Sequence, residues 1–276
     1  MKPADIFIAI LVAVIWGLAF VASRIALDEF SPELMTAMRF TIAAVPCLFI
    51  PKPKIAWSLL IAISFTLFLG QFLSQAYGIA HGVPVGLTSV VVQSQALFTI
   101  GFAAIAFGER PTPVQTLGIV VAAVGLLLIC GTVGYDFSVG AFAVLMIAPI
   151  CFAVGNLLLR GARGAPMFAL ALVVNGPAPT FQSLIHMSPT GLVCLLAIGA
   201  ISTSIAYWLW GRLLRDYPAA QVVPFALLVP FVGSAASSIV FGEKFGPLRL
   251  AGMLTVIGGI AVMVLARRPQ PLPKTA

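Results

Sequence analysis

FGERPTPVQTLGIVVAAVG, residues 107–125, returns 134 positions later as FGEKFGPLRLAGMLTVIGG, residues 241–259. Six of the 19 positions are identical: Phe107/Phe241, Gly108/Gly242, Glu109/Glu243, Pro113/Pro247, Gly118/Gly252 and Gly125/Gly259. Arg110 against Lys244 keeps the charge. Each copy is a charged turn, a proline and then an apolar run punctuated by glycine. One module has been written twice.

The composition names the solvent of that module. Hydrophobic residues are 61% of the 276 and charged residues 8%, against ~25% charged in an ordinary soluble domain. So little charge cannot cover so much apolar side chain in water, and the chain reads as an integral membrane protein. The net charge of +7 is spread singly or in pairs between apolar runs, which is the layout of topology signals and not of a nucleic-acid surface. Cys47, Cys130, Cys151 and Cys194 all fall in apolar stretches without metal-ligand spacing and read as small packing residues. No cofactor or metal is expected.

Spans are expected near 6–26, 33–50, 56–80, 84–106, 113–131, 139–159, 166–186, 190–213, 219–241 and 247–266. Each approaches the ~20 residues that cross ~30 Å of hydrocarbon. The first run is too long for a signal-peptide core and is read as retained. Ser31-Pro32, Thr112-Pro113, Ser188-Pro189 and Gly246-Pro247 look like an N-cap followed by proline at the first helical position, and Pro84 and Pro166 are expected to act likewise. Pro46, Pro149, Pro177, Pro179, Pro224 and Pro230 lie deeper and should kink their spans.

With the N-terminus inside, eleven basic residues fall in cytoplasmic segments and only Arg24, Lys244 and Arg249 outside, with Arg39 within a span. Both termini are therefore expected in the cytoplasm. Five spans per copy is odd, so the copies cross in opposite senses. The expected fold is an all-α membrane protein of ten transmembrane helices in two inverted five-helix repeats, residues 1–134 and 135–276, around a central cavity. Such duplicated modules commonly build transporters.

Specific residues then match a family. WGLAFVASRIAL (16–27), the Arg39-Phe40 pair, GVPVGLTSVVVQSQALFTI (82–100), FGER (107–110) and YWLWGRLLRDYPAAQVVPFALLVPFVG (207–233) resemble the drug/metabolite transporter superfamily and, within it, the EamA-type exporters. The resemblance covers nearly the whole chain and is closest to the branch exporting cysteine-pathway metabolites and other amino acids. It implies ten helices in two inverted halves, with substrate held centrally, in the bacterial inner membrane.

Polar and aromatic side chains inside spans are costly unless they line a wet cavity or pair with one another. Trp16, Phe20 and Ser23 share one face of the first span, and Phe152 and Asn156 occupy matching positions, since Arg24 aligns with Arg160 at an offset of 136. This face is read as cavity lining, the alternative being a packing seam or aromatic belt. Gln71 and Gln75 share a face of the third span with Tyr77 beside it. In the fourth, Ser89 and Gln93 lie on one face and Gln95 and Thr99 on another. Two of these four glutamines are read as helix-to-helix hydrogen bonds. Tyr207 and Trp210 are candidates for an inner gate against the default of an interfacial belt. Arg39, ~10 Å below its helix start, either holds a substrate carboxylate through bidentate bonds or binds neighbouring backbone carbonyls.

No Asp or Glu falls near mid-membrane, and His81 and His186 lie near the outer rim, so a facilitator is expected in preference to strict proton coupling. Neither HExxH nor GxSxG is present, which argues against an intramembrane enzyme, and the repeated rings of a channel filter are missing. Gly118, Ala122 and Gly125, with Gly252 and Gly259, could mediate dimerisation, but packing within a monomer is favoured. The reading is an exporter of amino acids and related small metabolites by alternating access, with broad specificity. The alternative is proton-coupled efflux of drug-like organic molecules.

Overall fold

Backbone groups in hydrocarbon must find partners within their own segment, and the apolar runs meet this demand as helices. The computed structural model describes residues 1–45, 56–108, 110–134, 136–159, 187–217 and 219–265, and among them all regular structure is helical. In chain order the longer helices are α1 (Pro3–Ala26), α2 (Pro32–Ala44), α3 (Trp57–Ala80), α4 (Val85–Phe107), α5 (Pro113–Cys130), α6 (Val139–Leu159), α7 (Pro189–Asp216), α8 (Val223–Phe241) and α9 (Pro247–Leu265), with a four-residue turn of helix, Ala219–Val222, leading into α8. Eight of them are long and apolar enough to cross a bilayer. The described part of α2 is 13 residues. The expected span at 166–186 and residues 46–50 of the second lie outside the described residues, as do Pro46, Pro166, Pro177 and Pro179.

Local chemistry sets the helix starts. Ser31, Thr112 and Ser188 each accept a backbone N–H with their side chains, from Leu34, Gln115 and Gly191, and each is followed by proline at the first turn. Pro84 departs from expectation: it is the cap itself, with ψ 138°, and the helix begins at Val85. A proline side chain cannot accept a hydrogen bond, so the cap comes from elsewhere. The Glu243 carboxylate, from the second FGE turn, accepts the N–H groups of Val85 at 2.6 Å and Gly86 at 3.0 Å.

The helices are interrupted at matched positions. A π-helical segment, Ser64–Gly70, lies inside α3 and another, Ala197–Ile205, inside α7. The break in α4 at Ser94 recurs in α8 at Leu228, 134 residues on, where a 3₁₀ turn (Val223–Leu227) gives way to α-helix. Gly108 and Gly242 close their helices at φ +65° and +66°. Hydroxyls bond along and across the π segment of α7: Thr203 Oγ1 donates to Ile198 O within it at 2.7 Å, and Ser204 Oγ reaches Ala43 O of α2 at 3.2 Å.

Lipid supplies little drive for apolar helices to associate, so close backbone approach must hold them. It does so between α5 and α9. A Cβ on Gly125 would stand 2.5 Å from Val256 N and 2.8 Å from Gly252 O. The glycine rows therefore meet each other within the chain. Their outward faces, including Leu117, Val120 and Leu127, are exposed.

Polar ties close both ends. At one end Tyr217 donates to Asp5 Oδ2 at 2.6 Å, and Arg212 stands 3.6 Å from the same carboxylate. At the other, Glu29 accepts from the Ser188 N–H and hydroxyl, while Arg249 grips Asp136 in a fork at 2.5 and 2.8 Å. That guanidinium holds the Asp136 carboxyl below its ordinary value of 3.8, chiefly through the side-chain bond.

Candidate functional site

A cavity of about 590 Å³ opens among α1, α2, α3, α4, α6, α7 and α8. Its volume falls in the range of small-molecule pockets, ~300–1,000 Å³.

The α1 spacing puts Trp16 and Phe20 one turn apart on its wall, and α6 places Phe152 and Asn156 there at the offset of 136. Trp16 anchors an aromatic corner. Its indole N–H donates to Ser202 O in the π segment of α7 at 3.1 Å. Its ring centroid lies 5.1 Å from both Tyr207 and Trp210. Their neighbour Trp208 points away and is 65% exposed, as a lipid-facing ring would be.

Arg39 forms the opposite chemistry. It is 4% exposed. Its Nε donates to Thr203 Oγ1 at 2.8 Å, and its guanidinium carbon sits 4.1 Å from the centre of the Phe72 ring. Phe72 is in turn braced edge-on by Phe40, with centroids 5.4 Å apart. Among the described residues Arg39 has no carboxylate partner.

The glutamines divide as hydrogen-bond geometry dictates. Gln93 Nε2 donates to Ala226 O at 3.1 Å, tying α4 to α8, and Gln95 Nε2 lies 3.4 Å from Gln93 Oε1. The sequence reading set these two on different faces. The break at Ser94, where ψ is −9°, turns both into the cavity. Gln71 also lines it. Gln71 Oε1, Gln95 Oε1 and Ser202 Oγ are buried and have no hydrogen-bond partner among the described residues.

Tyr77 stays outside this arrangement. Its ring stacks on His81 with centroids 3.8 Å apart, beyond the cavity wall. Ser23 is likewise spent locally, donating to Ala19 O at 2.7 Å.

Phe68, Phe72 and Ser202 line the cavity without having been named from the sequence, and Gln75, one of the four glutamines weighed there, lines it as well. Gln75 shares a face with Gln71 and was within reach of the spacing argument. Ser202 belongs to a mid-span polar triplet, Ser202-Thr203-Ser204, which is the signal that marks it. The phenylalanines are apolar residues in an apolar span and carry no signal. No Asp or Glu lines the cavity among the described residues, nor do His, Cys, Asp and Glu cluster there in a way that could hold a metal.

The profile of the EamA-like transporter family matches the chain twice, at residues 4–131 and 134–265. A protein of Salmonella typhimurium called a probable amino-acid metabolite efflux pump is 32% identical, over 97% of each chain. Its namesake in Escherichia coli is 30% identical over the same shares. A probable terminal-alkyne amino-acid exporter of Streptantibioticus cattleyicolor is 27% identical over 94% of this chain and 92% of that one. One crystal structure superposes with a TM-score of 0.60 at 17% identity, covering 95% of this chain and 96% of the other, a likeness of fold alone.

Proposed function

The chain belongs to the EamA-like transporter family, and from that premise we propose that it exports amino acids and related small metabolites by alternating access, with broad specificity and without strict proton coupling. The observation that carries this reading is the cavity: aromatic and amide-lined, holding one cation and, among the described residues, no carboxylate. Aromatic faces suit apolar side chains and ammonium groups, while amides offer donor and acceptor without charge. Phosphates and nucleotide sugars would call for several basic groups. The names of the relatives point the same way.

In this reading ten helices form two inverted repeats, residues 1–134 and 135–276, in a monomer of the bacterial inner membrane with both termini cytoplasmic. The matched π segments, helix breaks and left-handed glycines support the duplication. Glu243 capping α4 from the second half supports an arrangement in which one repeat completes the other. The site comprises Trp16, Phe20, Arg39, Gln71, Gln93, Gln95, Phe152, Asn156, Tyr207 and Trp210.

Purified protein in liposomes tests the proposal. Saturable counterflow of labelled amino acids is expected, at similar rates with and without an imposed pH gradient. Strict dependence on that gradient would refute the facilitator mechanism, and the absence of counterflow for every amino acid would refute the substrate class.

A further inference from the structure

We propose that the cavity selects zwitterions, with Arg39 as the carboxylate seat and the unpartnered oxygens of Gln71 and Gln95 as the ammonium seat. This rests on the export reading above and sharpens its substrate class: molecules bearing a free carboxylate beside an ammonium, to the exclusion of the corresponding amides and amines.

The argument begins with a charge out of place. A cation inside a span is costly unless an anion or a set of dipoles answers it. Arg39 is almost wholly buried, yet among the described residues the groups that meet it are the Thr203 hydroxyl and the Phe72 face, with the Tyr207 phenol near enough to act on its charge and no carboxylate among them. Thr203 engages Nε, and the Phe72 ring lies against the guanidinium, 4.1 Å from its carbon. Neither contact is a hydrogen bond to the terminal nitrogens, Nη1 and Nη2, which have no hydrogen-bond partner among the described residues. Those two nitrogens form the edge of the guanidinium fork that matches a carboxylate. Arg39 is thus held at Nε and on one face, with Nη1 and Nη2 uncommitted, at the wall of a cavity that has no acid among the described residues.

A purely structural arginine would spend that edge on backbone carbonyls. A seat for a carboxylate leaves it open.

The complementary half is as specific. Gln71 Oε1 and Gln95 Oε1 are buried acceptors without donors among the described residues, and an unsatisfied buried acceptor is destabilising unless a ligand supplies the missing hydrogen. An ammonium supplies three. The faces of Trp16, Tyr207 and Trp210 border the same space and attract it further.

The test uses the full-length protein in liposomes, with phenylalanine and cysteine each set beside its primary amide and its decarboxylated amine. Loss of a charge-assisted bond predicts uptake of the acid about 10- to 100-fold faster than of the amide or amine. Arg39→Gln should bring the acid-to-amide ratio towards one by raising KM for the acid, whereas a merely structural arginine would lower uptake of acid and amide alike and leave the ratio unchanged. Should Arg39→Gln fail to fold, the wild-type series decides by itself. Equal uptake of acid and amide by the wild type overturns the carboxylate seat and leaves amino-acid export standing. Failure of every amino acid to move overturns the export reading first.

Discussion

Gly258 and Gly259 are adjacent in α9, yet alanine should have opposite effects at the two positions. A Cβ on Gly258 meets nothing within 4 Å. Alanine there gains helix propensity and loses nothing, a stabilisation of about 0.5–1 kcal/mol. A Cβ on Gly259 would stand 2.6 Å from Gly118 O and closer still to Ala122 N, both backbone atoms of α5. Backbone cannot swing aside as a side chain can. With ordinary contact beginning near 3.4 Å, the two helices must part by about 1 Å along their tightest seam. Overpacking of this kind costs about 1–3 kcal/mol, which outweighs the same propensity gain. The variants should therefore differ by roughly 2 kcal/mol, or about 4–8 °C in Tm by the scaling for chains near this size. Detergent-solubilised protein, heated in steps and assayed by fluorescence-detected gel filtration at one fixed heating time, measures the difference despite irreversible unfolding. Midpoints within 1 °C of each other, or a Gly258→Ala variant that melts first, would refute the close backbone crossing as the clasp between the two halves.

Three further outcomes follow from the site and the loops. Gln71→Met removes a buried acceptor that has no protein partner, so thermal stability should rise slightly while KM for amino acids increases about fivefold or more, the two changes being read on the same preparation. Trp16→Phe keeps an aromatic ring beside Tyr207 and Trp210 but strands Ser202 O without its donor; transport should fall about fivefold, by an energy of ~1 kcal/mol, and unchanged kinetics would show that the indole N–H is idle. Asp136 is depressed below 3.8 by Arg249, so its contribution to stability is present above that pH and is lost as pH falls through its folded value. The Tm advantage of the wild type over Asp136→Asn should accordingly be seen at pH 7 and shrink below pH 3.8, and it should be small, because the Asp136 side chain is 51% exposed and screened by solvent.

How much of this was readable in advance depends on which physical signal each feature leaves. Helix positions were legible because burial in lipid demands continuous apolar runs, and the capping serines and prolines mark their starts chemically. The repeat was legible because glycine is required wherever α5 and α9 touch backbone to backbone, and because a left-handed residue closes each FGE helix. The cavity wall on α1 and α6 was legible from regular i, i+4 spacing. The wall on α4 was not. At 100° per residue Gln93 and Gln95 stand about 200° apart on an ideal helix, and only the break at Ser94 brings them within 3.4 Å of each other. The π segments of α3 and α7 shift phase in the same hidden way, since nothing in Ser64–Gly70 distinguishes it from ordinary apolar helix.

Arg39 joins the two kinds of information. Its place within a span announced a buried cation, and that fact alone fits a structural clamp as well as a ligand seat. What separates them is which nitrogens are occupied. A clamp that holds the repeat together should spend the guanidinium's outer edge on the neighbouring helix, because that edge carries its strongest pair of bonds. Here the neighbouring helix, α7, takes only Nε, through Thr203, and it can do so because the π segment presents that hydroxyl while Thr203 itself donates back to Ile198 O. The same irregularity that periodicity could not foresee thus holds the arginine at Nε and leaves Nη1 and Nη2 without a hydrogen-bond partner among the described residues, on a side chain that lines the cavity. Thr203→Val, which removes the Nε contact but not the charge, should abolish acid-over-amide selectivity in the liposome uptake assay while leaving KM for the amide unchanged, because the π segment orients the arginine. An unaltered ratio would mean that Phe72 alone suffices to aim the fork.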